Sequence, residues 1–274
     1  MTAITASTRL FCALGNPVSH SRSPLIHNQA FADHLIDAVY LAFAPTDIQQ
    51  AMDTVRQFNI GGVSITIPFK QTVIPFLDQV DEQAAAIGAV NTVVNRNGRL
   101  YGYNTDSRAA ITPLKESGIA GKSVLIIGAG GAARAVAFGI HEHHGHLVIT
   151  NRSQDRGSAL ASDYGADFVP MDQIRHLRPD IVINTTAMGM TPHPEVLSCP
   201  EDCLTPSTLV MDVVYTPLET RLLGVARQKG CRVVDGLTMF IAQAAAQFEL
   251  WTGLCPDTEK MRQAVLTRPD RQDL

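Results

Sequence analysis

The stretch Val124-Leu125-Ile126-Ile127-Gly128-Ala129-Gly130-Gly131-Ala132-Ala133-Arg134 decides the reading of the fold. Its unbroken apolar run is what a strand covered on both faces of a parallel sheet requires. The run stops at glycine, and a helical period begins. Glycine lets the chain turn tightly and lets its backbone approach a pyrophosphate, while the helix start offers free N–H groups and a partial positive charge. The spacing is Gly-x-Gly-Gly-x-x, with Ala133 at the third glycine position, an allowed variant. A glycine turn between strand and helix also occurs without a ligand, so the next strand carries the decision. It ends Ile149-Thr150-Asn151-Arg152-Ser153, with Arg156 just beyond. An NAD site favours an acidic residue there, accepting from the ribose 2′-hydroxyl. Two cations and two small polar groups suit a 2′-phosphate instead, so the sequence predicts NADP. Cations at a helix start are unfavourable unless an anion binds beside them.

Outward from this turn, strands and helices alternate. On the C-terminal side, His146–Thr150, Ile181–Asn184, Leu209–Val214 and Arg232–Val234 read as strands, Ser153–Tyr164 as a helix, and Met239–Trp251 as a long apolar helix. On the N-terminal side, Arg9–Leu14, Val39–Ala44 and Gly61–Ile67 read as strands. Pro24–His34, Ile48–Phe58 behind an Asp47 cap, Asp81–Ile87 and Ser107–Ser117 read as helices. Asn97-Gly98 between apolar runs signals a hairpin. This pattern predicts an α/β protein with parallel sheets and right-handed crossovers. At 274 residues the chain suits two modest domains.

With 45% hydrophobic and 18% charged residues and a net charge of −4, the composition is that of a globular enzyme and argues against a nucleic-acid or membrane surface. The five cysteines, odd in number and scattered, read as reduced thiols of a cytoplasmic protein. No secretory signal is visible, Thr2–Arg9 being polar, and the longest apolar stretch, Val124–Ile140, is broken by glycines. Cys199 and Cys203 lack the second pair that a zinc site wants, and the histidines at 141, 143, 144 and 146 sit at a helix end, where they are favourable without metal. No metal is expected. His27 reads as helix packing, and His20 as a wall of a cleft.

The N-terminal half carries short polar motifs at its strand ends: Ser19-His20-Ser21-Arg22-Ser23-Pro24, Ser64-Ile65-Thr66-Ile67-Pro68-Phe69-Lys70, Gly88-Ala89-Val90-Asn91-Thr92 and Gly102-Tyr103-Asn104-Thr105-Asp106. Singly, the serines read as helix caps, the asparagines as turn residues and Lys70 as a surface lysine. Together they interrupt apolar strands in the same way, as the lining of a ligand crevice does. Hydroxyls, amides, one lysine and one aspartate suit a polyhydroxylated carboxylate.

With Asn151-Arg152-Ser153, Asn184-Thr-Thr-Ala-Met-Gly-Met190 and Asp235-Gly236, these motifs resemble the shikimate dehydrogenase family over essentially the whole chain. The resemblance implies two domains: a substrate-binding domain at 1–106, completed by a C-terminal helix at 238–274, and a Rossmann-type, doubly wound NADP-binding domain at 107–237. It implies reversible NADPH-dependent reduction of 3-dehydroshikimate to shikimate, a step toward chorismate and the aromatic amino acids. Lys70 and Asp106 would be the catalytic pair. Ser21, Ser23, Thr66, Asn91, Asp106, Tyr215 and Gln243 would bind the substrate. Gly128, Ala129, Gly130, Gly131, Ala132, Asn151, Arg152, Ser153, Arg156, Val213, Gly236 and Glu82 would serve the cofactor. Monomer and homodimer are both open.

Some residues depart from the family pattern. Ser64 stands where many bacterial members have Asn, Ser107 and Ala109 where glycines are usual, Thr238 where glycine is common, and Val213 where methionine is common. Ser64, Met239-Phe240-Ile241 and Gln247–Gly253 look like the dehydrogenase half of the plant enzyme that is fused to dehydroquinate dehydratase. The rival readings are an NAD-using quinate/shikimate dehydrogenase, opposed by Asn151-Arg152-Ser153; a non-catalytic NADP-binding regulator, opposed by the presence of both Lys70 and Asp106; and a methylene-tetrahydrofolate dehydrogenase, opposed by Ser21 and Ser23.

Overall fold

The computed structural model describes residues 4–267. The outermost parts of the expected domains, residues 1–3 and 268–274, lie outside the described residues. In chain order the elements are β1 (Arg9–Leu14), α1 (Ser23–Asp33), β2 (Ala38–Phe43), α2 (Ile48–Gln57), β3 (Gly62–Ile65), β4 (Gln79–Val80), α3 (Glu82–Ile87), β5 (Thr92–Arg96), β6 (Arg99–Tyr103) and α4 (Asp106–Lys115). There follow β7 (Ser123–Ile127), α5 (Gly131–Glu142), β8 (His146–Thr150), α6 (Gln154–Asp163), β9 (Asp167–Phe168), β10 (Ile181–Asn184), β11 (Leu209–Asp212), α7 (Arg221–Gln228), β12 (Arg232–Val234), α8 (Gly236–Thr252) and α9 (Thr258–Leu266).

The chain forms two compact units, one taking the described residues up to Thr105 and from Ile241 onward, the other Asp106–Phe240. Asp106, assigned from sequence to the end of the first domain, is the first residue of α4 and groups with the second unit. The long helix starts at Gly236 rather than Met239, so α8 begins in the second unit and ends in the first.

The first unit holds a sheet of order β2-β1-β3-β5-β6-β4. β1 pairs in parallel with β2 and β3, but β5 is antiparallel to β3 and β6, so this sheet is mixed. β5 and β6 are joined by the Asn97-Gly98 turn, where φ is 54° and 83°. Two positive φ values make the turn whose twist matches paired strands. Gly98 N donates to Asn95 Oδ1 at 2.8 Å, tightening the loop. Asp47 caps α2, accepting from Gln49 N at 2.8 Å and Gln50 N at 3.2 Å. The sheet is covered by an aromatic layer. Phe11 lies 5.0 Å from Phe31 and 5.5 Å from Trp251, and Phe31 lies 5.4 Å from Phe248. Such rings bury large apolar areas and prefer these tilted arrangements.

The second unit holds a wholly parallel sheet of order β12-β11-β10-β7-β8-β9. Counted from its first strand this is 6-5-4-1-2-3, the doubly wound order, and the direction of winding switches between β7 and β10. Val124, Leu125, Ile126 and Ile127 are completely buried, as the unbroken apolar run of β7 requires. Among the described residues no helix is long and apolar enough to cross a membrane.

Candidate active site

In the first unit the registers Leu14↔Ile65, Ser64↔Thr92 and Thr92↔Tyr103 align the end of β1, the end of β3, the start of β5 and the end of β6. The four polar motifs therefore leave one edge of one sheet. Backbone bonds stitch them together. Asn16 N donates to Ile67 O at 2.9 Å, Val90 N to Lys70 O at 2.8 Å, and Asn91 N to Tyr103 O at 3.0 Å. Ser21 Oγ donates to Ser23 Oγ at 3.2 Å, and Ser23 N to Ser21 Oγ at 3.3 Å. Neither serine caps α1, whose N-cap residue is Arg22 and whose start has no side-chain cap.

Asn91 lies in a buried hydrogen-bonded cluster. Its Oδ1 accepts from Thr105 N at 2.8 Å and Thr92 Oγ1 at 2.7 Å, and its Nδ2 donates to Thr105 Oγ1 at 2.9 Å. Gln247 Nε2 donates to Asn91 O at 3.1 Å and to Thr92 Oγ1 at 3.0 Å. Gln247 Oε1 accepts from Ser64 Oγ at 2.7 Å, and Ser64 Oγ accepts from Tyr40 at 2.6 Å. One turn along α8, Trp251 Nε1 donates to Val93 O at 3.0 Å. Four helical residues advance about 6 Å and two strand residues about 6.6 Å, so α8 and β5 keep step. Gln243, one turn before Gln247 on the same face, thus continues past Asn91 toward the polar edge.

His27 is fully buried in the aromatic layer, with its ring 4.5 Å from Tyr40 and 5.0 Å from Trp251. Burial holds its pKa down to about 3, with Gln247 offsetting this only in part. Neither ring nitrogen makes a hydrogen bond of normal geometry. The expectation that His27 packs a helix holds, while His20 is exposed.

In the second unit the loops after β7, β8, β10 and β11 share the carboxyl edge of the sheet, where α/β sheets hold ligands. Gly128 turns with φ 124°, and a Cβ there would run into the side chains of Thr185 and Thr186. The space beside Gly130 is open. Thr185 Oγ1 donates to Ile127 O at 2.7 Å, holding the loop after β10 against the glycine turn. Behind that loop lies a second buried cluster. Asp212 Oδ1 accepts from Asn184 Nδ2 at 2.9 Å and Val214 N at 3.0 Å, and Oδ2 accepts from Thr220 Oγ1 at 2.7 Å. Asn184 Oδ1 accepts from Thr186 N at 3.1 Å and Thr186 Oγ1 at 2.7 Å. Burial raises the Asp212 pKa to about 6, outweighing the bonds from Thr220, Val214 and Asn184 that lower it.

Gly236 backs onto the carbonyl of Val214 with no room for a Cβ, which fixes the loop carrying Val213 and Tyr215 against the start of α8. The Tyr215 ring stacks on Phe240 at 4.3 Å and 22°. Asn151 Nδ2 donates to Ser153 O at 2.9 Å, and Ser153 is the N-cap residue of α6. Arg152 and Arg156 are exposed, and among the described residues neither has an ion-pair partner. Arg134 differs, being paired with Asp163 at 2.8 Å. Open space at the glycine turn beside two uncompensated cations fits a dinucleotide with an extra phosphate.

Three family models cover successive parts of the chain. Shikimate dehydrogenase substrate binding domain matches residues 13–93, Shikimate / quinate 5-dehydrogenase residues 112–194, and Shikimate 5′-dehydrogenase C-terminal domain residues 236–266. Shikimate dehydrogenase (NADP(+)) of Moorella thermoacetica is 44% identical over 268 residues, covering 92% of this chain and 91% of that protein. The chain belongs to the shikimate dehydrogenase family. The crystal structure of shikimate 5-dehydrogenase from Thermus thermophilus in complex with NADP(H) and shikimate has a TM-score of 0.86 at 36% identity, covering 94% of this chain and 99% of that one. Quinate dehydrogenase from Corynebacterium glutamicum in complex with NAD also has a TM-score of 0.86, at 35% identity, covering 95% and 99%. These two similar structures thus hold different cofactors, NADP(H) in one and NAD in the other.

Within this family member, Ser21, Ser23, Thr66, Lys70, Asn91, Gln243 and Glu82 lie in the first unit. Glu82 is exposed in the first turn of α3. Asp106, Tyr215 and every other residue expected at the cofactor lie in the second unit. Two departures from the family pattern have local explanations. Thr238 Oγ1 donates to Asp235 Oδ1 at 2.9 Å, tying the start of α8 to the loop before it. Ser107 is accommodated because α5 presents Gly139 to it and to Ile111. Nothing in the structure explains Val213 in place of methionine.

Sequence reasoning assigned no role to Gln247, Thr92, Tyr40, Asp212 or Thr220. The signal for Gln247 was present: it is a glutamine four residues after Gln243 on a largely apolar helix. Cys199 and Cys203 are fully buried, and Cys203 Sγ donates to Ile174 O at 3.1 Å. The histidines at the end of α5 are held locally, His143 by the Gly139 carbonyl at 2.8 Å and His141 by the Tyr164 ring at 5.5 Å. No group of three or more potential metal ligands occurs among the described residues.

Proposed function

We propose that this chain reversibly reduces 3-dehydroshikimate to shikimate with NADPH, on the route to chorismate and the aromatic amino acids. One observation carries the assignment of residues. The bonds from Val90 N to Lys70 O and from Thr105 N to Asn91 Oδ1, each 2.8 Å, bring the backbones of Lys70, Asn91 and the residue before Asp106 to a single sheet edge.

Ser21 and Ser23 bind the carboxylate of the substrate. Thr66, Asn91, Asp106, Tyr215 and Gln243 hold its ring oxygens. Gly128, Ala129, Gly130, Gly131 and Ala132 cradle the pyrophosphate of NADP; Asn151, Arg152, Ser153 and Arg156 take its 2′-phosphate; Val213, Gly236 and Glu82 complete the cofactor site. When bound, the cofactor would supply hydride chemistry, as donor in its reduced form NADPH and as acceptor in its oxidised form. Lys70 Nζ gives a proton to the oxygen of the carbonyl as it is reduced, and takes one from the hydroxyl in the reverse direction. Asp106 is its partner in the catalytic pair. The domain roles follow: the first unit for substrate, and the second, Asp106–Phe240, for cofactor. Five free cysteines support a cytoplasmic setting.

The test is the initial rate of nicotinamide reduction with shikimate or quinate crossed against NADP or NAD. Fast reduction only with shikimate and NADP is the expected result. Comparable rates with quinate and NAD would move the protein to the quinate branch of the family. No rate in any combination would overturn the enzymatic reading.

A further inference from the structure

We propose that Gln247, together with Ser64, is a positioning residue that fixes the Asn91 side chain as a pure hydrogen-bond donor toward the substrate. The inference rests on the functional reading above, in which Asn91 contacts the substrate.

Backbone groups determine every polarity in the cluster. A backbone carbonyl can only accept, so the bond of 3.1 Å to Asn91 O identifies that end of the Gln247 amide as its NH₂. The other end must be the carbonyl oxygen, and it accepts from Ser64 Oγ at 2.7 Å. Ser64, having given its proton, accepts from Tyr40 Oη at 2.6 Å. The same Gln247 NH₂ donates to Thr92 Oγ1 at 3.0 Å, which turns the Thr92 proton onto Asn91 Oδ1 at 2.7 Å. Thr105 N, also an obligatory donor, occupies the second lone pair of Oδ1 at 2.8 Å. Both acceptor sites of the Asn91 side chain are thereby filled from within the protein. Any further partner of this amide must be an acceptor, such as the lone pair of a ring hydroxyl or a carbonyl oxygen.

Ser64, a departure from the expected family pattern, is joined to the cluster by Gln247, which accepts from Ser64 Oγ and donates to Asn91 O. The glutamine thus links Ser64 of β3 to the Asn91 carbonyl and the Thr92 hydroxyl. Removing the Gln247 NH₂ frees the Thr92 hydroxyl to rotate and takes its 2.7 Å bond from Asn91 Oδ1, which the Thr105 hydroxyl, at 3.3 Å, covers only weakly. The amide then offers a mixed face, and an acceptor on the substrate loses its defined partner.

Gln247→Leu and Ser64→Ala are each compared with wild type in the shikimate and NADP assay, alone and combined with Asn91→Asp. Each single variant is expected to raise the KM for shikimate about tenfold, with the KM for NADP and kcat changing less than about threefold. Ser64→Thr, which keeps the hydroxyl, should stay near wild type. In the Asn91→Asp background, Gln247→Leu should add less than about twofold, because it acts through Asn91. Unchanged KM for shikimate in both single variants, or fully additive effects with Asn91→Asp, would overturn the inference. Fluorescence of Trp251, the single tryptophan, reports whether the first unit is folded. If Gln247→Leu does not fold, Ser64→Ala decides the outcome by the same criteria. A wild-type chain that neither binds nor oxidises shikimate overturns the functional reading and this inference together. An active wild type with indifferent variants overturns the inference alone.

Discussion

Each sheet ends in a polar edge backed by a buried hydrogen-bonded cluster, and the two clusters are built from different chemistry. In the first unit Tyr40, Ser64, Gln247, Thr92 and Asn91 are linked by hydroxyls and amides, beside an imidazole kept neutral by burial. In the second, Asn184, Thr220 and the Val214 amide converge on the carboxylate of Asp212. A neutral cluster can fix the polarity of a side chain without a charge that would compete with the substrate carboxylate. A carboxylate accepts several bonds at once and can clamp separate loops, but its desolvation opposes ionisation.

The comparison is tested most strongly by Lys70→Ala. If the first edge does the proton chemistry and the second holds the cofactor, kcat should fall at least about a hundredfold. The KM for NADP should hardly move. Turnover close to wild type would remove Lys70 from the mechanism.

Stability against pH separates the clusters further, because their signs oppose. The His27 pKa lies at about 3, below the ordinary 6.5. Its contribution is fully present above pH 6.5 and is lost as pH falls toward 3, by roughly 5 kcal/mol over the whole range. His27→Phe, which keeps the ring stack, should gain on wild type in calorimetric midpoint as the solution is acidified. A constant gap between the two proteins from pH 7 to pH 4 would contradict this.

Asp212 works the other way. Its pKa is raised from 3.8 to about 6, so its contribution is complete below pH 3.8 and is lost as pH rises through 6. The span is roughly 3 kcal/mol. Asp212→Asn should therefore lag wild type most in acid and least near pH 7. The opposite trend would mean that Asp212 is ionised at low cost.

A smaller effect is expected from replacing Arg152 and Arg156 together with glutamine. The KM for NADP should rise about tenfold or more, while that for NAD changes little. Equal effects on both cofactors would remove the 2′-phosphate from the role assigned to these arginines.

The legible parts of the molecule were those whose cause is local. Gly128 after an apolar run, Asp47 before α2 and the Asn97-Gly98 hairpin each act within a few residues, and each element formed where the pattern placed it. The strands β4 and β9 went unread because two residues carry no period. Helix α7 was missed although Thr220 caps it, accepting from Leu223 N at 3.3 Å. The candidate site residues were read from their motifs, but the buried clusters beside them were not. Ser64 and Gln247 are 183 positions apart, and only the pairing of β3 and β5 beside α8 joins them. Mixed pairing in the first sheet was likewise visible only as a single turn signal.

Because α8 contributes its later turns to the first unit, that unit is assembled from the two ends of the chain. During synthesis, the strands up to Thr105 leave the ribosome before the 135 residues of Asp106–Phe240 have been made. At ordinary elongation rates that is a wait on the order of ten seconds. Throughout it, Ser64, Asn91 and the aromatic face that later meets Phe248 and Trp251 are without their cover. The nascent sheet is then a natural client for chaperones, and the second unit, continuous in sequence, is free to fold first.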